Sequence, residues 1–349
     1  MKTVKLSDFQ IIPLTASVHR EDISDEEYFS SKYSDCLSNS RIKLINPDEG
    51  GRPAKYLENP HFSSSSLNVG SAVHELFLQP DEFTLGPACN KPTATKGMVV
   101  EKAKQYRLAG ESIYDSIAKA IKDCDYYKGV VTDARVSDIL RSGLDYYLKT
   151  KNITDPNIIL LDDKSRETVI DCVNSLSNNR FIMKKVRPSD DGLFGSDVYS
   201  FNEDAFFMNY CVVYKNEKST VIKYKMKADN WTIDLDNKVL TLNDLKTNGG
   251  FIGGFMSESG HMYTYHYYRQ MAWYGDVLKE YAKREYGYDD ADWSFRANML
   301  VVSTIKDHES RCFNVNHSQL IAGKEEYEKL LKMVAYYEMF GYDEEVEFI

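Results

Sequence analysis

The sequence predicts an α/β protein in which an antiparallel β meander carries the chemistry and a helical insertion precedes it. Three observations lead there. Residues 205–214, 220–229 and 238–246 are apolar or alternate apolar with polar residues, as strands with two distinct faces do. The turn-forming stretches Lys215-Asn216-Glu217-Lys218 and Asp234-Leu235-Asp236-Asn237 separate them. From Thr93 to about Val186, apolar residues instead recur every three to four positions, as in 111–122, 136–149 and 164–178, which is helical spacing. Downstream, a long Tyr-rich helix is expected over 263–284, strands over 297–305 and 311–315, and a last helix over 318–340.

The remaining segments follow from local signals. Residues 1–35 are polar and mixed and read as a strand-poor arm. Residues 37–47 read as a short helix, capped by Ser38 or Ser40 and stopped by Pro47. Gly50, Gly51 and Pro53 make a loop, and Ser63 to Ser66 another. Residues 67–79 show helical spacing that ends at Pro80. Gly249, Gly250, Gly253 and Gly254 predict a mobile loop after the meander. No internal repeat is visible. The organisation is one domain over 1–349, with 93–186 inserted in it.

Composition narrows the function classes. A chain of 349 residues, 42% hydrophobic and 28% charged, buries about three quarters of its unfolded surface and needs no staple. No apolar run approaches the ~18 residues of a membrane span, and residues 1–20 lack a secretory pattern. The cysteines at 36, 89, 124, 172, 211 and 312 form no CxxC pair, which argues against a zinc ribbon or an iron–sulfur cluster. They read as buried hydrophobes of a reducing cytoplasm. With 43 basic and 53 acidic side chains, the net charge of −10 argues against a protein that coats nucleic acid nonspecifically.

The main chemical signal is the group Asp229, Asp244 and Lys246. Alternation places Asp244 and Lys246 on one face of their strand and Leu245 on the other. A hairpin turn would bring Asp229 beside Asp244. Two carboxylates with an adjacent ammonium suit Mg²⁺, which favours one or two carboxylates plus substrate phosphate. Gln270 and Tyr274, four apart on the next helix, share a face and could bond a phosphate or a water. Gly70 and His74 form a similar pair, with His74 a candidate metal ligand. Lys223, Lys225 and Lys227 share strand parity with Asp229 and would line a basic row for phosphate. Each feature alone also has a plain structural explanation, as a surface ion pair, a core aromatic or a solvated face.

In chain order, Gly70-Ser-Ala-Val-His74, Lys225-Met-Lys-Ala-Asp229, Asp244-Leu-Lys246-Thr247 and Gln270-Met-Ala-Trp-Tyr274 resemble the PD-(D/E)XK nucleases. More narrowly they resemble the exodeoxyribonuclease VIII type, with phage lambda exonuclease a more distant relative. The segments Leu37-Ser-Asn-Ser40-Arg41 and Leu78-Gln-Pro80 also fit that type, so the resemblance runs over about 36–280. It implies a restriction-endonuclease-like core, a central mixed sheet flanked by helices. It further implies a Mg²⁺-dependent exonuclease, with Mn²⁺ able to substitute, that degrades the 5′-ended strand of linear duplex DNA and leaves 3′ tails for recombination or repair.

On this resemblance Asp229 and Asp244 ligate the metal, Lys246 is the catalytic lysine, and His74 and the Leu245 carbonyl are further ligands. Gln270 and Tyr274 organise the site and the scissile phosphate. Glu203 is the candidate acidic residue of the preceding strand, although 26 residues before Asp229 is longer than the family pattern. Ala228 stands where the motif has proline. The start of the Ser40–Arg41 helix could receive a 5′ phosphate. A single-strand annealing partner, a ring-shaped homo-oligomer and the cytoplasm of a bacterial or phage-infected cell are also implied. The rival readings are a structure-specific endonuclease of the same fold, a CRISPR-adaptation or helicase-associated nuclease, and a noncatalytic DNA-binding phage protein that keeps the fold. The scattered cysteines speak against the second of these, which usually carries an iron–sulfur cluster.

Overall fold

The computed structural model describes residues 2–51, 69–92, 94–126, 131–188, 197–305, 307–342 and 345–349. The expected loop at Ser63 to Ser66, together with Pro53, lies outside them. In chain order the strands are β1 (Lys2–Val4), β2 (Phe9–Glu21), β3 (Thr84–Leu85), β4 (Ile158–Ile159), β5 (Val198–Tyr214), β6 (Lys218–Asp234), β7 (Val239–Asn248), β8 (Ser294–Ser303), β9 (Ser310–Val315) and β10 (Val346–Phe348). The helices are α1 (Asp25–Tyr28), α2 (Asn39–Ile42), α3 (Val69–Leu78), α4 (Ala94–Leu108), α5 (Ile113–Asp123), α6 (Asp133–Thr150), α7 (Asp163–Asn178), α8 (Arg180–Val186), α9 (His261–Thr264), α10 (Tyr267–Tyr286) and α11 (His317–Phe340).

The chain divides into two compact units, residues 1–70 with 174–349, and residues 71–173. The second unit is helical, with β3 and β4 pairing in parallel. Its core joins Val99, Ala103, Ile117, Ile121, Val136 and Ile139 from α4, α5 and α6, the apolar stripes that the helical spacing predicts. Most of the expected insertion lies in it, but Ser71–Leu78 also belongs to it and α8 does not.

The first unit is built on a six-stranded mixed sheet of order β2-β5-β6-β7-β8-β9. All neighbours are antiparallel except β7 and β8. A parallel neighbour needs a crossover, and the segment between β7 and β8, which includes α10, provides it. α10 and α11 pack on one face. There Trp273 of α10 stacks between Tyr224 of β6, 4.0 Å away at 16°, and Tyr327 of α11, 5.0 Å away at 9°. All three rings are buried. Such pairs add about 0.5–1.5 kcal/mol each beyond their burial, and they fix α10 against the strand that carries Asp229.

Three expectations are corrected here. The N-terminal arm is not strand-poor: β2 is a 13-residue edge strand. Its mostly exposed or half-buried side chains give little apolar alternation, and Pro13, which lacks an N–H, is tolerated at an edge. The helix expected over 263–284 is two, divided where His266 takes a left-handed φ of 53°. Asp229 does not end its strand, because β6 continues to Asp234.

Candidate active site

β5, β6 and β7 place three carboxylates in a row. Asn230 pairs with Asn243 in the antiparallel register, so Asp229 and Asp244, one step further along, fall opposite one another. On the other side, the pairs Asn202–Asn230 and Asp204–Ala228 bracket Glu203 and Asp229, which also fall opposite. The long separation of Glu203 from Asp229 is therefore the length of the hairpin between them, residues 203–214 and 218–229 of two long strands.

The alternation of both strands slips at this point. Phe206 and Met208 of β5 and Tyr224 and Met226 of β6 point into the main core, and so do Phe201 and Trp231, an odd number of residues away. Glu203 takes a φ of 56° at the slip, an uncommon conformation for a residue with a side chain. Local disruption of a ladder re-aims side chains. Here Asp229 reaches across to β7, where its Oδ2 accepts the Leu245 N–H at 2.7 Å.

Lys246 Nζ lies 2.5 Å from Asp244 Oδ2 and 4.0 Å from Asp229 Oδ2. It also donates to the Leu245 carbonyl at 3.3 Å and sits 5.2 Å from the Tyr267 ring centre. Burial works against its charge, but Asp244 and Asp229 outweigh burial and hold its pKa above the ordinary lysine value. From α10, Gln270 donates to Asp244 Oδ1 at 2.7 Å. Tyr274 is half-buried one turn on. Burial, reinforced by Tyr28 and by both aspartates, keeps its phenol protonated, so it can donate a hydrogen bond.

The carboxylates titrate abnormally. Burial first and the charge of Asp229 second push Glu203 up to about 7, against the pull of Lys227. Burial also raises Asp229, although Lys246, the Leu245 N–H and Lys227 oppose it. The fold thus brings Asp229, Asp244, Leu245, Lys246, Gln270, Tyr274 and Glu203 together. Their donor set consists of carboxylate and carbonyl oxygens, which suits a hard divalent cation, and added positive charge would offset the burial that raises Glu203 and Asp229. His74 lies on α3 in the other unit.

The basic row is corrected. Lys223, Lys225 and Lys227 share parity with Asp229 in sequence, but the slip breaks it: the lysines alternate with Tyr224, Met226 and Ala228, which face the main core, and of the three Lys227 pairs with a site carboxylate. Lys225 pairs with Phe207 across the strands, beside the small cluster of Tyr28, Tyr33 and Phe207. Lys225 is buried and donates to the Tyr28 carbonyl at 2.7 Å. Lys223 pairs with Asp35 at 2.7 Å, and Lys227 pairs with Glu203 at 2.8 Å and with Asp25. The segment around α1 covers Lys225 and Lys227 of the expected phosphate track, while Lys223 stays exposed in its pair with Asp35.

The Ser40–Arg41 helix start is also revised. α2 is a single turn capped by Ser38, and the Arg41 guanidinium donates to the carbonyls of Ser34, at 2.8 Å, and Cys36, at 3.3 Å. Sequence reasoning missed Asp25, Tyr28 and Tyr267. Each is an ordinary residue of a polar or Tyr-rich stretch, and only tertiary packing brings it to the site.

No family model matches the chain, and no curated protein matches it. Among solved structures it is similar to a Eubacterium rectale protein named "Putative exonuclease", at a TM-score of 0.42 and 10% identity, over 93% of this chain and 89% of that one. The functional reading therefore rests on the geometry above.

Proposed function

We propose that this chain is a divalent-metal-dependent phosphodiester hydrolase of the PD-(D/E)XK type, acting on DNA. The observation that carries the reading is the facing pair Asp229 and Asp244, with Glu203 opposite Asp229 and Lys246 bound to Asp244 on the same face. Asp229, Asp244 and Glu203 would hold the metal, Mg²⁺ or Mn²⁺, with the Leu245 carbonyl as a further donor. The ion would supply Lewis acidity and a more acidic water.

The chain's own residues do the rest. Lys246 stays an ammonium, so it orients water and offsets phosphate charge and does not serve as a base. Gln270 fixes the rotamer of Asp244, and Tyr274 presents an O–H donor to a phosphate oxygen. Within this class the resemblance favours an exonuclease that degrades the 5′-ended strand of linear duplex DNA.

Digestion of linear duplex labelled at either end, beside a closed circle, with and without Mg²⁺, tests the reading. Nucleotide release from linear ends only, and only with metal, is expected. Cutting of the circle would indicate an endonuclease of the same fold. Asp244→Ala and Lys246→Ala should each lower the rate by at least about 100-fold, measured on protein shown to be folded, since breaking their buried pair lowers the melting temperature. Digestion by Asp244→Ala at the wild-type rate would refute the site, and inactive but DNA-binding wild-type protein would favour the noncatalytic alternative.

A further inference from the structure

On the sheet face opposite the carboxylate row runs a ladder of asparagines. The register aligns Asn202, Asn230, Asn243, Asn298 and Asn314 across β5 to β9. The first four are linked in one direction: Asn298 Nδ2 donates to Asn243 Oδ1 at 2.8 Å, Asn243 Nδ2 to Asn230 Oδ1 at 2.6 Å, and Asn230 Nδ2 to Asn202 Oδ1 at 2.8 Å. Asn230, Asn243 and Asn298 are at most 1% exposed. The ladder also meets the C-terminal end of α8, through Asn243 Nδ2 to the Lys185 carbonyl at 3.3 Å and Asn230 Nδ2 to the Val186 carbonyl at 3.5 Å.

Three rungs are the chain neighbours of the three carboxylates: Asn202 of Glu203, Asn230 of Asp229, and Asn243 of Asp244. We infer that the asparagine ladder is a positioning device which locks the register of β5, β6 and β7 so that Glu203, Asp229 and Asp244 converge; the inference rests on the metal-site reading above. Asn202, Asn230, Asn243 and Asn298 are positioning residues that touch no substrate.

The physical argument has two parts. β6 and β7 pair only over Asn230–Asp234 and Val239–Asn243. The Asn230–Asn243 rung is therefore the last before the strands part, where fraying would move the carboxylates first. In addition, a slip of one residue turns every side chain to the other face. An apolar pair would fill the same buried space but would tolerate such a slip. A chain of amides does not, since each rung left without its partner buries an unmet polar group, and linked bonds strengthen one another.

The Leu245 amide, held by Asp229 Oδ2, reports this alignment without metal. Hydrogen exchange at Leu245 and Mn²⁺ titration of the full chain should be compared for wild type, Asn230→Ala, Asn243→Ala, Asn243→Thr and Asn314→Ala. Melting temperatures confirm that each variant is folded. We expect Asn230→Ala and Asn243→Ala to speed Leu245 exchange at least tenfold relative to β8 amides, and to weaken Mn²⁺ about 10- to 100-fold, as loss of outer-shell support does. Asn243→Thr, whose hydroxyl can both accept and donate, should recover part of both. Asn314→Ala, at the exposed edge, should change neither.

Exchange at Leu245 that rises no more than at β8 would overturn the inference, as would unchanged Mn²⁺ affinity in a folded Asn243→Ala protein. If wild type binds no Mn²⁺ but Leu245 exchange responds as expected, the metal reading fails and the register lock stands. Should both alanine variants fail to fold, Asn243→Thr decides: faster Leu245 exchange together with weaker Mn²⁺ binding than wild type supports the lock, and a folded protein with unchanged exchange overturns it.

Discussion

Replacing Glu203 with Gln separates the demands of the site from those of the fold. Glu203 is 13% exposed and sits opposite Asp229. Its pKa rises from 4.5 to about 7, by burial first and Asp229 second. The folded chain thus holds this proton more tightly than the unfolded chain does. Stability falls as pH rises from about 4.5 to about 7 and is level beyond. At 1.36 kcal/mol per unit, ionised Glu203 destabilises the metal-free protein by roughly 3 kcal/mol at pH 8.

Gln keeps the shape and removes the charge. Its gain is partly offset by the lost pairing with Lys227, which keeps Asp25. We expect Glu203→Gln to melt several degrees higher than wild type at pH 8 in chelator, with the difference gone by pH 5. In Mn²⁺ the order should reverse, because the variant loses a ligand. Calorimetry at pH 5 and pH 8, with and without Mn²⁺, reads all four conditions. A variant that is less stable than wild type by the same amount at both pH values would refute the reasoning.

Other outcomes follow from the same structure. The His266 ring nitrogen is 2.8 Å from Glu326, and this bond, against burial, raises the His266 pKa above 6.5. Its stabilisation, on the order of 1 kcal/mol, is complete below pH 6.5 and fades as pH rises through the folded-state value. His266→Asn, tolerated at a φ of 53°, should flatten denaturation midpoints over that window; an unchanged slope would exclude the pair. Trp273→Ala removes the middle ring of the stack and should destabilise by about 3–5 kcal/mol in urea unfolding, and a loss below 1 kcal/mol would show that the stack does not hold α10. Since Lys223, Lys225 and Lys227 are engaged within the protein, DNA binding should lose only a few counterions. A plot of log affinity against log salt as steep as about −6, the slope for some seven phosphates, would contradict that.

Much of the first unit was legible in the sequence. The three meander strands, the turns between them and the last helix follow from alternation and turn residues, which are local. The placement of Asp229, Asp244, Lys246, Gln270 and Tyr274 was legible because it depends on spacing within one short hairpin or one helix. Glu203 was legible only as a residue type, since its place opposite Asp229 depends on the length of two strand arms. The lysine row misled for a related reason: strand parity assumes unbroken alternation, and the slip at Glu203 and Asp229 breaks it.

The sequence by itself thus determined which residues could form a metal-binding carboxylate site, because side-chain chemistry and short-range periodicity are written in it directly. Tertiary structure alone decided the parallel pairing of β7 with β8, the contacts that Asp25 and Tyr28 make with Lys227 and Lys225, and the alignment of five asparagines from five strands. These depend on which distant strands become neighbours and in what register, and a one-residue change in register would leave the local sequence signals intact while moving every carboxylate to the other face.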